Sequence, residues 1–128
     1  MSRKPVEFRD FPPDLHPGYG PYAAIVKHIV DGDTYRLFID GGLLHYPYVT
    51  VRLLGVDTPE TNRLVTRPEG MAAKCFVEDV MPVGTPVRIT TEPDPDSFGR
   101  WLVRVTLPLG HDLADMLVES GHAVRVTA

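Results

Sequence analysis

Two runs alternate between apolar and polar side chains, "TYRLFID" at residues 34–40 and "RWLVRVTL" at residues 100–107, and they limit the fold more than any other feature. In the first, Tyr35, Leu37 and Ile39 oppose Thr34, Arg36 and Phe38. In the second, Trp101, Val103, Val105 and Leu107 oppose Arg100, Arg104 and Thr106. A period of two is the mark of a strand with one buried face. Ahead of the first run, "YAAIVKHIV" at 22–30 reads as another strand, with "DGD" at 31–33 as the turn between them. "DGG" at 40–42 is a hairpin signal, so a third strand, predicted over residues 44–55, lies antiparallel to the second.

"MAAKCFVEDVM" at 71–81 spaces apolar residues at 72, 75, 76 and 80 for one helical face and assigns Cys75 to core packing. "VRIT" at 87–90 and the strand at 101–107 flank the turn "EPDPDSFG". A short helix over 113–120 follows, with Asp112 as N-cap and Gly121 as its stop, and "HAVRVTA" ends as an extended tail. The predicted fold is α+β and mainly β: five strands with a helix after the third, closing as an OB-fold barrel, and a second helix. Residues 1–21 hold five prolines and no periodicity, so they read as an irregular lead-in to one domain over 22–128.

A 43% hydrophobic, 23% charged composition describes a soluble globular chain. The N-terminal stretch has no apolar core of a signal peptide, and the single Cys75 excludes an internal disulfide, so a cytoplasmic monomer with no membrane association is expected. The net charge of −4 weighs against a non-specific nucleic-acid binder. Charge summed over the molecule says little about a local site, however.

The chemistry concentrates around "VRLLGVDTPET" at residues 51–61, where an apolar strand runs into Asp57, Pro59 and Glu60 with Arg52 inside it. Asp33 opens the second strand and Asp57 follows the third, and antiparallel neighbours place those two ends at one rim. On spacing alone, the two are either turn aspartates capping amides or a pair sharing a hard divalent cation. Pro59 stiffens the segment that aims Glu60, as a water-activating base requires. Arg52 and Arg100 suit a phosphate clamp. His16, His28, His45, His111 and His122 lack the short paired spacing of a zinc site, and "DGDTYRLFIDGG" fails as an EF-hand loop, with Arg36 and Gly42 where glycine and glutamate are required.

"VDGDT" at 30–34, "RLLGVDTPE" at 52–60 and "DSFGR" at 96–100 together resemble the staphylococcal nuclease (thermonuclease) family. The resemblance implies a Ca²⁺-dependent nuclease for DNA or RNA that leaves 3′-phosphate ends. It implies that Asp33, Asp57 and the Thr58 carbonyl hold the ion, with Asp31 just behind them. Glu60 acts on the attacking water, as base or as positioner, while Arg52 and Arg100 contact the phosphate and Phe98 contacts substrate. Ser97 and Phe98 replace the family's lysine and tyrosine, its stacking aromatic pair falls near Thr127 or beyond, and its C-terminal helix is not expected. The alternatives are a non-catalytic OB-fold module that binds nucleic acid or protein, and a small interaction protein whose acids serve only turns.

Overall fold

The computed structural model describes residues 19–126. Most of the expected lead-in and the position of Thr127 lie outside them. The strands are β1 (Tyr22–Asp31), β2 (Thr34–Ile39), β3 (Tyr48–Leu53), β4 (Val56–Asp57), β5 (Pro86–Pro95), β6 (Trp101–Thr106) and β7 (Val124–Arg125). The helices are α1 (Arg67–Val80) and α2 (Leu113–Glu119). Five strands close a barrel in the order β1-β2-β3-β6-β5, while β4 and β7 form a separate two-stranded pair. β3 and β6 are parallel; the other neighbours are antiparallel. This is the OB-type α+β barrel expected.

The alternating runs account for the interior. Tyr35, Leu37, Val51, Val103 and Val105 point inward and are fully buried. Helix α1 covers the barrel with Ala73 and Val77, and Met81 follows at its end; α2 adds Leu113 and Leu117. Asp112 caps α2 as predicted, accepting the Asp115 amide at 3.0 Å. Among the described residues no helix is long and apolar enough to cross a membrane.

Three expectations are corrected. The third strand is shorter than predicted, Tyr48–Leu53. Residues 44–47 belong to the loop after β2, where Leu44 has a φ of 63°, and at the other end Gly55 turns the chain with a φ of 79°, a conformation only glycine adopts without strain. The Leu54 amide still donates to the Val103 carbonyl of the neighbouring β6, and the chain then continues as β4. Helix α1 starts at Arg67 rather than Met71, and its inward stripe is Gly70, Ala73 and Val77, with Phe76 and Val80 partly packed. Cys75 is therefore exposed and is not part of the core. The tail pairs with β4 instead of ending free, aligning Asp57 with Val124.

Candidate active site

The rim where β1 hands over to β2 and β3 to β4 brings Asp33, Arg52, Asp57 and Thr58 together, with Glu60 on the loop beside them. Asp33, at the start of β2, is 7% exposed. One of its oxygens accepts the Thr34 hydroxyl at 3.1 Å; the other accepts the Thr58 amide at 3.0 Å and lies 3.2 Å from Arg52 Nη1. The same guanidinium reaches Asp57 Oδ1 with Nη2 at 3.0 Å. Nη1 also donates to the carbonyls of Leu53 at 3.0 Å and Val56 at 2.9 Å, so Arg52 ties together the turn that separates β3 from β4. β2–β3 register fixes this geometry by pairing Thr34 with Arg52.

Thr58 is buried, and its hydroxyl oxygen has no hydrogen-bond partner. Below the rim, the Tyr35 hydroxyl donates to the Gly32 carbonyl. Burial first, then the Asp33 charge, pushes the Tyr35 phenol well above its ordinary value, against a smaller opposing pull from Arg52.

Asp31 does not touch this cluster directly. It accepts the Thr61 hydroxyl at 2.6 Å and the Thr61 amide at 3.3 Å, pinning the chain just past Glu60 to the end of β1. From the other side, the Thr66 hydroxyl donates to the Glu60 carbonyl at 2.8 Å, and Gly70 of α1 packs against the Pro59–Glu60 backbone. The Glu60 backbone is thus held from two elements. Its carboxylate is half exposed and pairs with Arg63 at 3.1 Å.

Arg100 stands apart from the acids. Its Nε meets Asp96 Oδ2 at 2.9 Å, and its guanidinium lies 5.3 Å from the Phe98 ring centroid. Burial would raise the Asp96 carboxyl, but the amides of Arg100 and Phe98 and the Arg100 guanidinium outweigh it and hold the group below its ordinary value. β3–β6 register sets Arg52 against Leu102, so Arg100 falls two positions before that pair, just ahead of β6. Phe98 is 81% exposed. Among the described residues, no three His, Cys, Asp or Glu side chains are gathered closely enough to hold a metal by themselves.

Thr61, Thr66, Gly70 and Asp96 also support the site, and none of them stands out as a site residue in the sequence. Only Asp96 carries a usable signal, an aspartate opening a turn that closes on glycine. The others act through long-range contacts that no local spacing encodes.

An OB-type barrel whose rim draws two aspartates onto one arginine, with a glutamate on a braced loop beside it, defines the class. Residues 50–128 match the family model described as staphylococcal nuclease homologue. The chain is 38% identical over 86 residues to a thermonuclease of Staphylococcus intermedius, an alignment covering 65% of this chain and 48% of that protein. The chain belongs to the staphylococcal nuclease homologue family, and it spans about half the length of the curated relative it matches.

Proposed function

We propose that this chain is a Ca²⁺-dependent nuclease hydrolysing phosphodiester bonds of DNA, RNA or both, breaking the bond to the 5′ oxygen and leaving 3′-phosphate ends. The observation that carries this reading is the single guanidinium of Arg52 spanning Asp33 and Asp57, at 3.2 and 3.0 Å. It supports the view that one positive centre can be shared by both carboxylates.

Asp33, Asp57 and the Thr58 carbonyl are the residues that would hold the ion. All offer hard oxygen donors of the kind Ca²⁺ prefers, and the unpartnered Thr58 hydroxyl oxygen adds another at the same rim. With so few protein ligands, affinity should be weak and completed by water and substrate. When bound, the ion supplies positive charge that polarises a phosphate oxygen.

Glu60 takes a proton from the attacking water or orients that water. Its partner Arg63 is no obstacle, since both side chains are mostly exposed and such pairs contribute little. Arg52 and Arg100 offset the charge that builds on the phosphate, and Asp96 sets the direction of the Arg100 fork. Phe98 offers an exposed ring to the substrate, and Asp31 keeps the Glu60 loop in register through Thr61.

One observation favours a second reading, a non-catalytic binding module: Glu60 and Arg100 are each paired outside the Asp33–Arg52–Asp57 cluster. Digestion of single-stranded DNA, duplex DNA and RNA with Ca²⁺, Mg²⁺ or chelator separates the two. Cleavage is expected with Ca²⁺ and lost with chelator. Glu60→Gln should bind Ca²⁺ in calorimetry like the parent and turn over far more slowly, whereas Asp33→Ala should lose the ion. A parent protein that digests none of the three substrates with Ca²⁺ belongs to the second reading.

A further inference from the structure

The net charge of −4 conceals a separation of charge along the chain. Residues 22–30, 36–39, 48–53, 86–91 and 101–106, which make up most of the barrel strands, contain Lys27, Arg36, Arg52, Arg88 and Arg104 and no Asp or Glu. The carboxylates sit instead at strand ends, in loops and on helices. Arg52 is engaged with Asp33 and Asp57, but Lys27, Arg36, Arg88 and Arg104 make no ion pair among the described residues.

Two of these cations, Lys27 and Arg36, share the outward side of β1–β2–β3 with aromatic rings. Strand register aligns Ile25, Phe38 and Tyr48 in one row and His28, Arg36 and Thr50 in the next. The rings of Phe38 and Tyr48 are 4.7 Å apart between centroids, tilted by 39°, and Lys27 Nζ is 5.8 Å from the Phe38 centroid. Phe38 and Tyr48 are 38% and 50% exposed, while their inward neighbour Leu37 is fully buried. The barrel core is complete without these two rings; as a cross-strand pair they steady the β2–β3 register, and their outer faces stay open to solvent beside Lys27.

We propose that this outer face of β1–β2–β3 is a stacking platform for single-stranded nucleic acid, with bases lying on Phe38 and Tyr48 and phosphates meeting Lys27 and Arg36. A polyanion complements Lys27 and Arg36, which make no ion pair among the described residues. Aromatic faces accept any unpaired base, whereas a duplex hides its base faces. Arg36 and Phe38 are two residues apart, about 7 Å along β2, a spacing that one nucleotide spans. Tyr48 lies four residues before Arg52, about 13 Å along β3, so a strand reaching the rim can run back over the platform. Binding at the platform does not depend on the nuclease reading; only its consequence, a firmer grip on long substrates than on short ones, rests on it.

The test is fluorescence anisotropy of the full chain with end-labelled oligothymidylate and oligouridylate of about 12 nucleotides, in chelator so that nothing is cleaved. Phe38→Ala/Tyr48→Ala should bind at least about tenfold more weakly than the parent. Lys27→Gln/Arg36→Gln should flatten the dependence of log affinity on log salt by about 1.4. The charge variant should keep the parental melting temperature; the aromatic variant, which loses a cross-strand pair, should melt a few degrees lower, and if it does not fold the charge variant still decides. Parental affinity in both variants, or equal affinity for a blunt duplex, overturns the proposal. So does sedimentation showing a dimer of the parent that Tyr48→Ala dissolves, which would make the face a contact between copies. Hydrolysis of bis(p-nitrophenyl) phosphate, too small to span rim and platform, should be unchanged in both variants. A parent inactive on that ester and on nucleic acids counts against the nuclease reading, while the anisotropy still decides for or against the platform.

Discussion

Gly70 offers a test in which two well-founded expectations have opposite signs. It is buried in the first turns of α1, where its amide donates to the Thr66 carbonyl at 2.8 Å. A methyl group on its α-carbon would stand 2.7 Å from the Glu60 carbonyl oxygen, 2.8 Å from the Glu60 carbonyl carbon and 2.9 Å from the Pro59 carbonyl oxygen. All three are backbone atoms, so no rotamer change relieves the clash. Opening the 2.7 Å contact to an ordinary 3.4 Å requires helix and loop to part by about 0.7 Å. A solvent-facing helical glycine replaced by alanine would gain about 1 kcal/mol. Overpacking against backbone costs roughly 2–3 kcal/mol, so Gly70→Ala should lose about 1–2 kcal/mol net. At about 4 °C per kcal/mol for a chain of this size, Tm should fall by roughly 4–8 °C. Urea unfolding should show a lower midpoint at unchanged slope. Because the displaced segment carries Glu60, activity of the still-folded variant should fall as well. A Gly70→Ala protein that melts at or above the parental temperature refutes the packing of α1 on Pro59–Glu60.

Arg52→Lys should lower stability as well as turnover, by about 1–3 kcal/mol in urea unfolding, since it removes contacts to two carboxylates and two carbonyls at a largely buried side chain. A variant that loses turnover alone would mean that the β3–β4 turn holds without it. Asp96 is depressed in the folded protein, so its stabilisation is present above its unfolded value of 3.8 and is lost as pH falls through the lower folded value. Melting of the parent and Asp96→Asn from neutral to acid pH should show the parental advantage shrinking below about 4. Phe98→Ala should leave stability within about 0.5 kcal/mol, because the ring is exposed, while raising KM on nucleic acid more than it lowers kcat. Equal KM would remove Phe98 from the substrate contacts.

The barrel is legible because period-two alternation is a local signal: Tyr35, Leu37, Val103 and Val105 read as inward residues and lie fully buried. The α1 face is not, because its contact stripe uses Gly70 and Ala73, small residues that permit close approach but do not register as hydrophobic anchors. Cys75 and Ala72, more conspicuous in the sequence, face solvent. Around the rim, the convergence of Asp33, Asp57 and Arg52 follows from the β2–β3 register, which the buried alternation of the two strands pins. The bracing of Glu60 is not readable, since Thr61–Asp31 spans thirty positions and Thr66–Glu60 depends on where α1 begins. Position 57 also depends on β7, which reads only as an extended tail and instead pairs Val124 with Asp57.

Arg52 joins the folding problem to the functional one. Its two terminal nitrogens hold the β3–β4 turn closed through Leu53 and Val56 and reach the two acidic side chains of the rim. An arginine serving the turn alone would not need Asp33, which already receives the Thr58 amide and the Thr34 hydroxyl. A side chain serving the acids alone would not need the two carbonyls. A planar fork meets both demands at once because its donors diverge within one rigid group, which a lysine ammonium on a flexible stem cannot reproduce. Changes that loosen the turn therefore also move the carboxylates, and stability and chemistry at this rim should rise and fall together in any variant that touches it.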